Sequence, residues 1–261
     1  MEEWLQTEWP ELKVYLTSVT EEWSVATLSG PNAGKILKSA GVDISLDPAD
    51  FPFMTMREAH IAGLPVRIFR ISFTGELSYE INIRARHGLA LWTHLMKAGA
   101  EFGITPYGTE AMHVLRAEKG FIIVGQETDG SVTPQDLGMD WIVSKVKPDY
   151  IGKRALERAS MAADNRKQLV GLRTKERKQV IPEGAHAVLD PNQPMPMDML
   201  GQVTSSYYSP NVGSSIAMAM LKGGRALMGG TVYLPMLDGS VIEAEVVEPI
   251  FYDPKGERLN G

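Results

Sequence analysis

The chain has 261 residues, no cysteine, 26 Lys and Arg against 32 Asp and Glu, and a formal net charge of −6. That length suits one large domain or two modest ones, and the missing cysteines exclude disulfides, thiolate catalysis and Cys-ligated zinc. A reducing, cytoplasmic setting is therefore expected, and with no basic run and no window near a membrane-spanning length, neither nucleic acid nor membrane is expected as a partner.

In chain order, Met1 to Pro10 reads as the end of an amphipathic helix, with Trp4, Leu5 and Trp9 on one side and no capping residue ahead of it. Lys13 to Val19 and Trp23 to Leu28 alternate as strands do, and Ser29-Gly30-Pro31-Asn32 turns the chain into a helix that carries Ala33, Ile36, Leu37 and Ala40 and stops at Gly41. Met56 to Ile61 and Val66 to Phe73 form an expected hairpin around Ala62-Gly63-Leu64-Pro65, followed after Thr74-Gly75-Glu76 by a strand over Leu77 to Ile83. Arg86 to Phe102 makes a helix with Leu91, Leu95, Ala98 and Phe102 inward and Gly103 as its cap. The next helix starts near Gly108 or Thr109, where the Thr hydroxyl can accept an orphan amide.

Beyond a polar connection at Met161 to Lys167 only strand signals remain: Leu169 to Arg173, Ala185 to Leu189, Gly201 to Tyr208, Ser215 to Leu221, Thr231 to Leu234 and Val241 to Val247. Short strands separated by Gly and Pro turns suggest a small antiparallel barrel or sandwich. Runs of strands separated by helices, without strict alternation, argue for an α+β fold. The expected domains are 1–160 and a C-terminal β-barrel over 161–261.

One helix carries a chemical oddity. Ala111, Val114, Leu115 and Glu118 fall at i, i+3, i+4 and i+7, so a carboxylate completes an apolar face. A charge turned inward needs hydrogen-bond donors, and no Lys or Arg of this helix shares the face. The donors come either from a cation elsewhere, such as Arg57, or from a ligand. Gly30-Pro31-Asn32-Ala33-Gly34-Lys35-Ile36 is one residue short of a phosphate loop and has Ile36 where a magnesium-holding hydroxyl belongs, so it reads as a strand-to-helix turn. The five histidines lack metal-site spacing, so no metal is expected, and no nucleophile elbow or dinucleotide fingerprint occurs. Phe73 to Ile81 reads as strand, turn, strand, with Gly75 at positive φ and Glu76 in water.

Six segments, in order, resemble the aminomethyltransferase family, which includes the T-protein of the glycine cleavage system. They are Phe73 to Ile81, Leu115 to Gly120, Gly125-Gln126-Glu127, Gly138 to Trp141, Tyr150 to Leu156 and Gly201 to Ser205. Each is weak alone; together they span nearly the whole chain. The wording of Tyr107 to Gly120 is most similar to the C-terminal folate-binding part of heterotetrameric sarcosine oxidase alpha subunits. The resemblance implies an aminomethyltransferase-like folate-binding domain followed by a small barrel, with tetrahydrofolate as cofactor. It implies that Glu118 grips the pterin, whose 2-amino group and N3–H are two parallel donors for one carboxylate. It further implies that Trp141, Lys145 and Lys147 lie near the folate tail and that Tyr79 and Tyr252 line the site.

The family's sequences carry, upstream of the segment matched by Met1, a catalytic aspartate on a strand. The resemblance thus implies either a fragment or an unusual truncated member, with no catalytic residue of its own and inactive alone. Flavin and NAD are implied only for an intact multi-subunit enzyme, with other sarcosine oxidase subunits as partners. Three readings stay open: the folate-binding part of a sarcosine oxidase alpha subunit that captures a one-carbon unit as 5,10-methylenetetrahydrofolate, a glycine cleavage T-protein, and a non-catalytic folate-binding or assembly module.

Overall fold

The computed structural model describes residues 1–260. The chain forms two compact units, one of residues 1–72, 76–106 and the segment from Arg258, the other of 73–75 and 107–257. Both are built on antiparallel sheets with few helices, an α+β arrangement.

In the first unit, β1 (Trp23–Ser29), β2 (Thr55–Ile61), β3 (Leu64–Arg70) and β4 (Ser78–Arg84) form one sheet in the order β1-β4-β3-β2. Alternation sets its inner face: Val66 and Ile68 of β3 stand opposite Ile83 and Ile81 of β4, and all four are buried. Helices α2 (Ala33–Ser39) and α3 (Gly88–Gly99) add Ile36, Leu37, Leu91 and Leu95 to that cluster. The β2–β3 turn is tighter than expected, because Ala62 and Gly63 both take positive φ, 50° and 75°, the geometry of a two-residue hairpin. A short α1 (Glu2–Thr7) opens the chain. The strand expected over Lys13 to Val19 does not form; those residues are exposed and pair with no strand, and alternation alone cannot hold a strand without a hydrogen-bonding neighbour.

In the second unit, β5 (Lys167–Thr174), β6 (His186–Ala187), β7 (Gly201–Ser209), β8 (Ser214–Lys222), β9 (Thr231–Pro235) and β10 (Val241–Val247) follow the order β6-β7-β8-β5-β10-β9. Reciprocal hydrogen bonds of 2.8 and 3.0 Å between Val188 and Tyr233 join the two ends and close the barrel. Val170, Leu172, Ala217, Ala219 and Leu221 fill the interior. The alternate residues of β8, Ile216, Met218 and Met220, cluster instead with Ala117 of α4 (Thr109–Glu118). That double burial is why β8 reads as a continuous apolar run. A single turn, α5 (Lys153–Leu156), precedes the barrel. Helix α4 packs on the barrel wall, against β7 and β8.

Candidate functional site

Helix α4 is buried differently from the expected stripe. Ala111 is exposed and Val114 and Leu115 are half-buried, while Arg116, Ala117, Glu118 and Lys119 are all buried. The helix docks by its last turn, so position along the axis decides burial more than angular position around it. Its N-cap is Gly108, with no side-chain capping bond from Thr109.

Glu118 is 2% exposed. Its Oε1 accepts the Ser209 hydroxyl at 2.6 Å and its Oε2 accepts the Asn211 side-chain amide at 2.9 Å. Both donors come from the β7–β8 hairpin turn, where the Val212 amide donates to Ser209 Oγ at 2.9 Å and Gly213 takes φ 68°. Because Ser209 Oγ accepts from Val212, its own proton is directed to the carboxylate. No ion pair forms at Glu118 among the described residues. The cation considered from the sequence, Arg57, donates to the carbonyls of Met56 and Asp50 and lies over the Phe51 ring.

The main chain of Glu118 ties a further segment to the helix end. Its carbonyl accepts the amides of Phe251 and Tyr252 at 2.8 and 2.9 Å, using the orphan carbonyl of a helix C-terminus. Next to it, buried Lys119 forms an ion pair of 3.1 Å with Asp253. The structure thus brings Tyr252 to Glu118.

Beneath them lies a network that the sequence reading missed. Arg116 and Glu127, neither with any exposed side chain, pair at 3.1 Å, and Ser205 accepts from Arg116 Nη2 at 2.6 Å while donating to Glu127. Glu127 also accepts the Ile123 amide at 2.7 Å, and the Arg116 guanidinium sits 6.0 Å from the Tyr207 ring centroid. Burial raises the Tyr207 phenol above its usual range, with Arg116 acting in the opposite direction.

The remaining expected site residues differ in exposure and in the unit they belong to. Trp141 is 73% exposed, and Lys145 and Lys147 are exposed on the segment after it; no hydrogen bond or ion pair joins this segment to Glu118 among the described residues. Tyr79 belongs to the first unit, 1% exposed, with its ring 6.0 Å from Phe51; burial raises its phenol, against a smaller opposing effect of Arg70. Glu76 is not in water as expected: it pairs with Arg258, with 17% of its side chain exposed. In the Gly30–Ile36 turn, Lys35 donates to Asn32 at 3.1 Å. No cluster of three potential metal ligands occurs among the described residues, and none of their helices is long and apolar enough to cross a membrane.

Comparison with known proteins places these features. The sequence model of the GCVT N-terminal domain matches residues 1–147, and that of the glycine cleavage T-protein C-terminal barrel domain matches 167–253. A sarcosine oxidase subunit alpha of Corynebacterium sp. (strain P-1) is 46% identical across 100% of this chain and 27% of its own length. An aminomethyltransferase of Halothermothrix orenii is 31% identical over 88% of the chain and 61% of its length. The crystal structure of glycine cleavage system aminomethyltransferase T from Bartonella henselae superposes with a TM-score of 0.73 at 25% identity, over 88% of this chain and 60% of that one. The chain spans about a quarter of the sarcosine oxidase subunits it matches.

Proposed function

The chain belongs to the glycine cleavage T-protein (aminomethyltransferase) family, and on that premise we propose that it holds tetrahydrofolate through the carboxylate of Glu118. In this reading it serves as the folate-binding part of a sarcosine oxidase alpha subunit. The bound folate supplies the nitrogen nucleophile that captures the one-carbon unit from sarcosine oxidation, as 5,10-methylenetetrahydrofolate. Sarcosine oxidation itself falls to a flavin carried elsewhere in a multi-subunit enzyme. The folate-holding part is taken to run over 1–160 and the barrel over 161–261.

The observation that carries the reading is the state of Glu118. A carboxylate has about four acceptor positions, and Ser209 and Asn211 occupy one on each oxygen, which leaves one on each for two parallel donors. A pterin edge offers two such donors, so the residues fit the group. Ser209 and Asn211 are neutral, so the carboxylate keeps its charge for the ligand instead of losing it to a buried cation. Lys145 and Lys147 are suited to the carboxylates of the folate tail, and Trp141 and Tyr252 to its rings.

The identity of 46% across the full chain favours the sarcosine oxidase reading over a free-standing aminomethyltransferase. Calorimetric titration with 5-formyltetrahydrofolate tests it. The chain is expected to bind, and Glu118→Ala to bind at least tenfold more weakly, the loss expected for a charge-assisted hydrogen-bond pair. Equal affinities reject the role of Glu118; no binding by the unaltered chain favours an assembly module.

A further inference from the structure

We propose that Asn211, at the tip of the β7–β8 hairpin, is a positioning residue that orients the Glu118 carboxylate for its ligand. The inference rests on the folate reading of Glu118 and extends it to a residue outside the six segments that carry the family resemblance. Glu118 is 2% exposed, while Asn211 is exposed on the turn, so the amide reaches inward from the surface to Oε2 at 2.9 Å. Ser209 alone fixes only Oε1, about which the carboxyl group can still rotate. A second donor on the other oxygen fixes the carboxylate plane, and with it the direction of the two remaining acceptor positions. The turn itself is set independently of the Asn211 side chain: the Val212 amide donates to Ser209 Oγ and the Gly213 amide to the Ser209 carbonyl, both at 2.9 Å. The Asn211 amide therefore acts on the carboxylate rather than on the hairpin.

The chemistry separates this role from a structural one. Asp and Asn serve equally in turns, but Asp carries an acceptor where Asn carries the donor. Asn211→Asp keeps the size of the side chain and sets a second carboxylate against Glu118; Asn211→Ala only removes the donor.

The test uses the full chain, with affinity for 5-formyltetrahydrofolate by calorimetry and the Glu118 resonance followed by carbon NMR after glutamate labelling at Cδ, assigned by its loss in Glu118→Gln. Asn211→Ala is expected to weaken binding about tenfold, as for one hydrogen bond to a charged group, and Asn211→Asp to weaken it further, with both variants still folded. The Glu118 resonance is expected to move in both variants without ligand. Binding by Asn211→Asp equal to that of the unaltered chain, tighter binding by Asn211→Ala, or an unmoved Glu118 resonance would each overturn the inference. A moved resonance in a chain that never binds 5-formyltetrahydrofolate supports the orientation of Glu118 by Asn211 and rejects the folate reading instead.

Discussion

Arg116 and Glu127 form a 3.1 Å ion pair in which neither side chain has any exposed surface, and Ser205 of β7 bridges them from the barrel. Arg116 lies two residues before Glu118 on α4, and Ser205 four residues before Ser209 on β7. The same helix turn and the same strand therefore supply both the ion-pair anchor and the Glu118–Ser209 hydrogen bond. Breaking such a buried pair by removing one partner costs about 3–5 kcal/mol, because a desolvated charge is left behind. Glu127→Ala is expected to lower unfolding stability by that amount in urea titrations. A loss under about 1 kcal/mol would show that water or another residue takes over the Arg116 guanidinium.

Gly75→Ala tests the turn that precedes β4. Gly75 has φ 80°, and a Cβ there would stand 2.1 Å from Cγ of Lys119, whose ammonium is held by Asp253. The methyl must displace a buried, paired lysine as well as force a left-handed residue. A loss of about 2–4 kcal/mol in melting experiments is expected. A cost no greater than about 1 kcal/mol would mean that Lys119 moves aside freely.

Asp136 gives a pH dependence. Burial pushes its carboxyl up, but hydrogen bonds from Arg166 and Thr133 outweigh that and hold it below the usual carboxylate range. A carboxyl whose folded pKa is depressed stabilises the protein above its unfolded pKa, and the contribution is lost as pH falls through the folded value. Stability is thus expected to fall on acidification below about pH 4, and Asp136→Asn to be less stable than the unaltered chain near neutrality, with a flatter acid limb. Parallel acid limbs in the two proteins would place the titration elsewhere.

Much of the barrel was legible because each strand carries its own signal. Alternation or a continuous apolar run, bounded by Gly or Pro, marked each of the six barrel strands within a few residues. The site was half legible. Glu118 stood out as a carboxylate on an apolar face, yet its donors lie 91 and 93 residues away, and Arg116 meets Ser205 across 89 residues. No local pattern carries such pairings. A weaker signal did exist: Ser209-Pro210-Asn211-Val212-Gly213 is a turn with two short donors facing one side. Lys13 to Val19 failed for the opposite reason, a local alternation with no sheet edge to join.

Lys145 and Lys147 are exposed, so their removal should leave the fold intact and change only ligand affinity. The double variant Lys145→Ala/Lys147→Ala is expected to keep its melting temperature, to bind 5-formyltetrahydrofolate severalfold more weakly and to show a shallower salt dependence of affinity. An unchanged affinity and salt slope would remove both lysines from the site.

The pairing of Glu118 with a pterin edge is tested most directly by a double-mutant cycle between protein and ligand. Affinities are measured for the unaltered chain and Glu118→Gln, each with 5-formyltetrahydrofolate and with its analogue lacking the 2-amino group. Two groups in direct contact give a coupling of about 1–3 kcal/mol, which is the predicted result. A coupling within about 0.3 kcal/mol of zero, with both ligands still bound, would contradict contact between Glu118 and that edge.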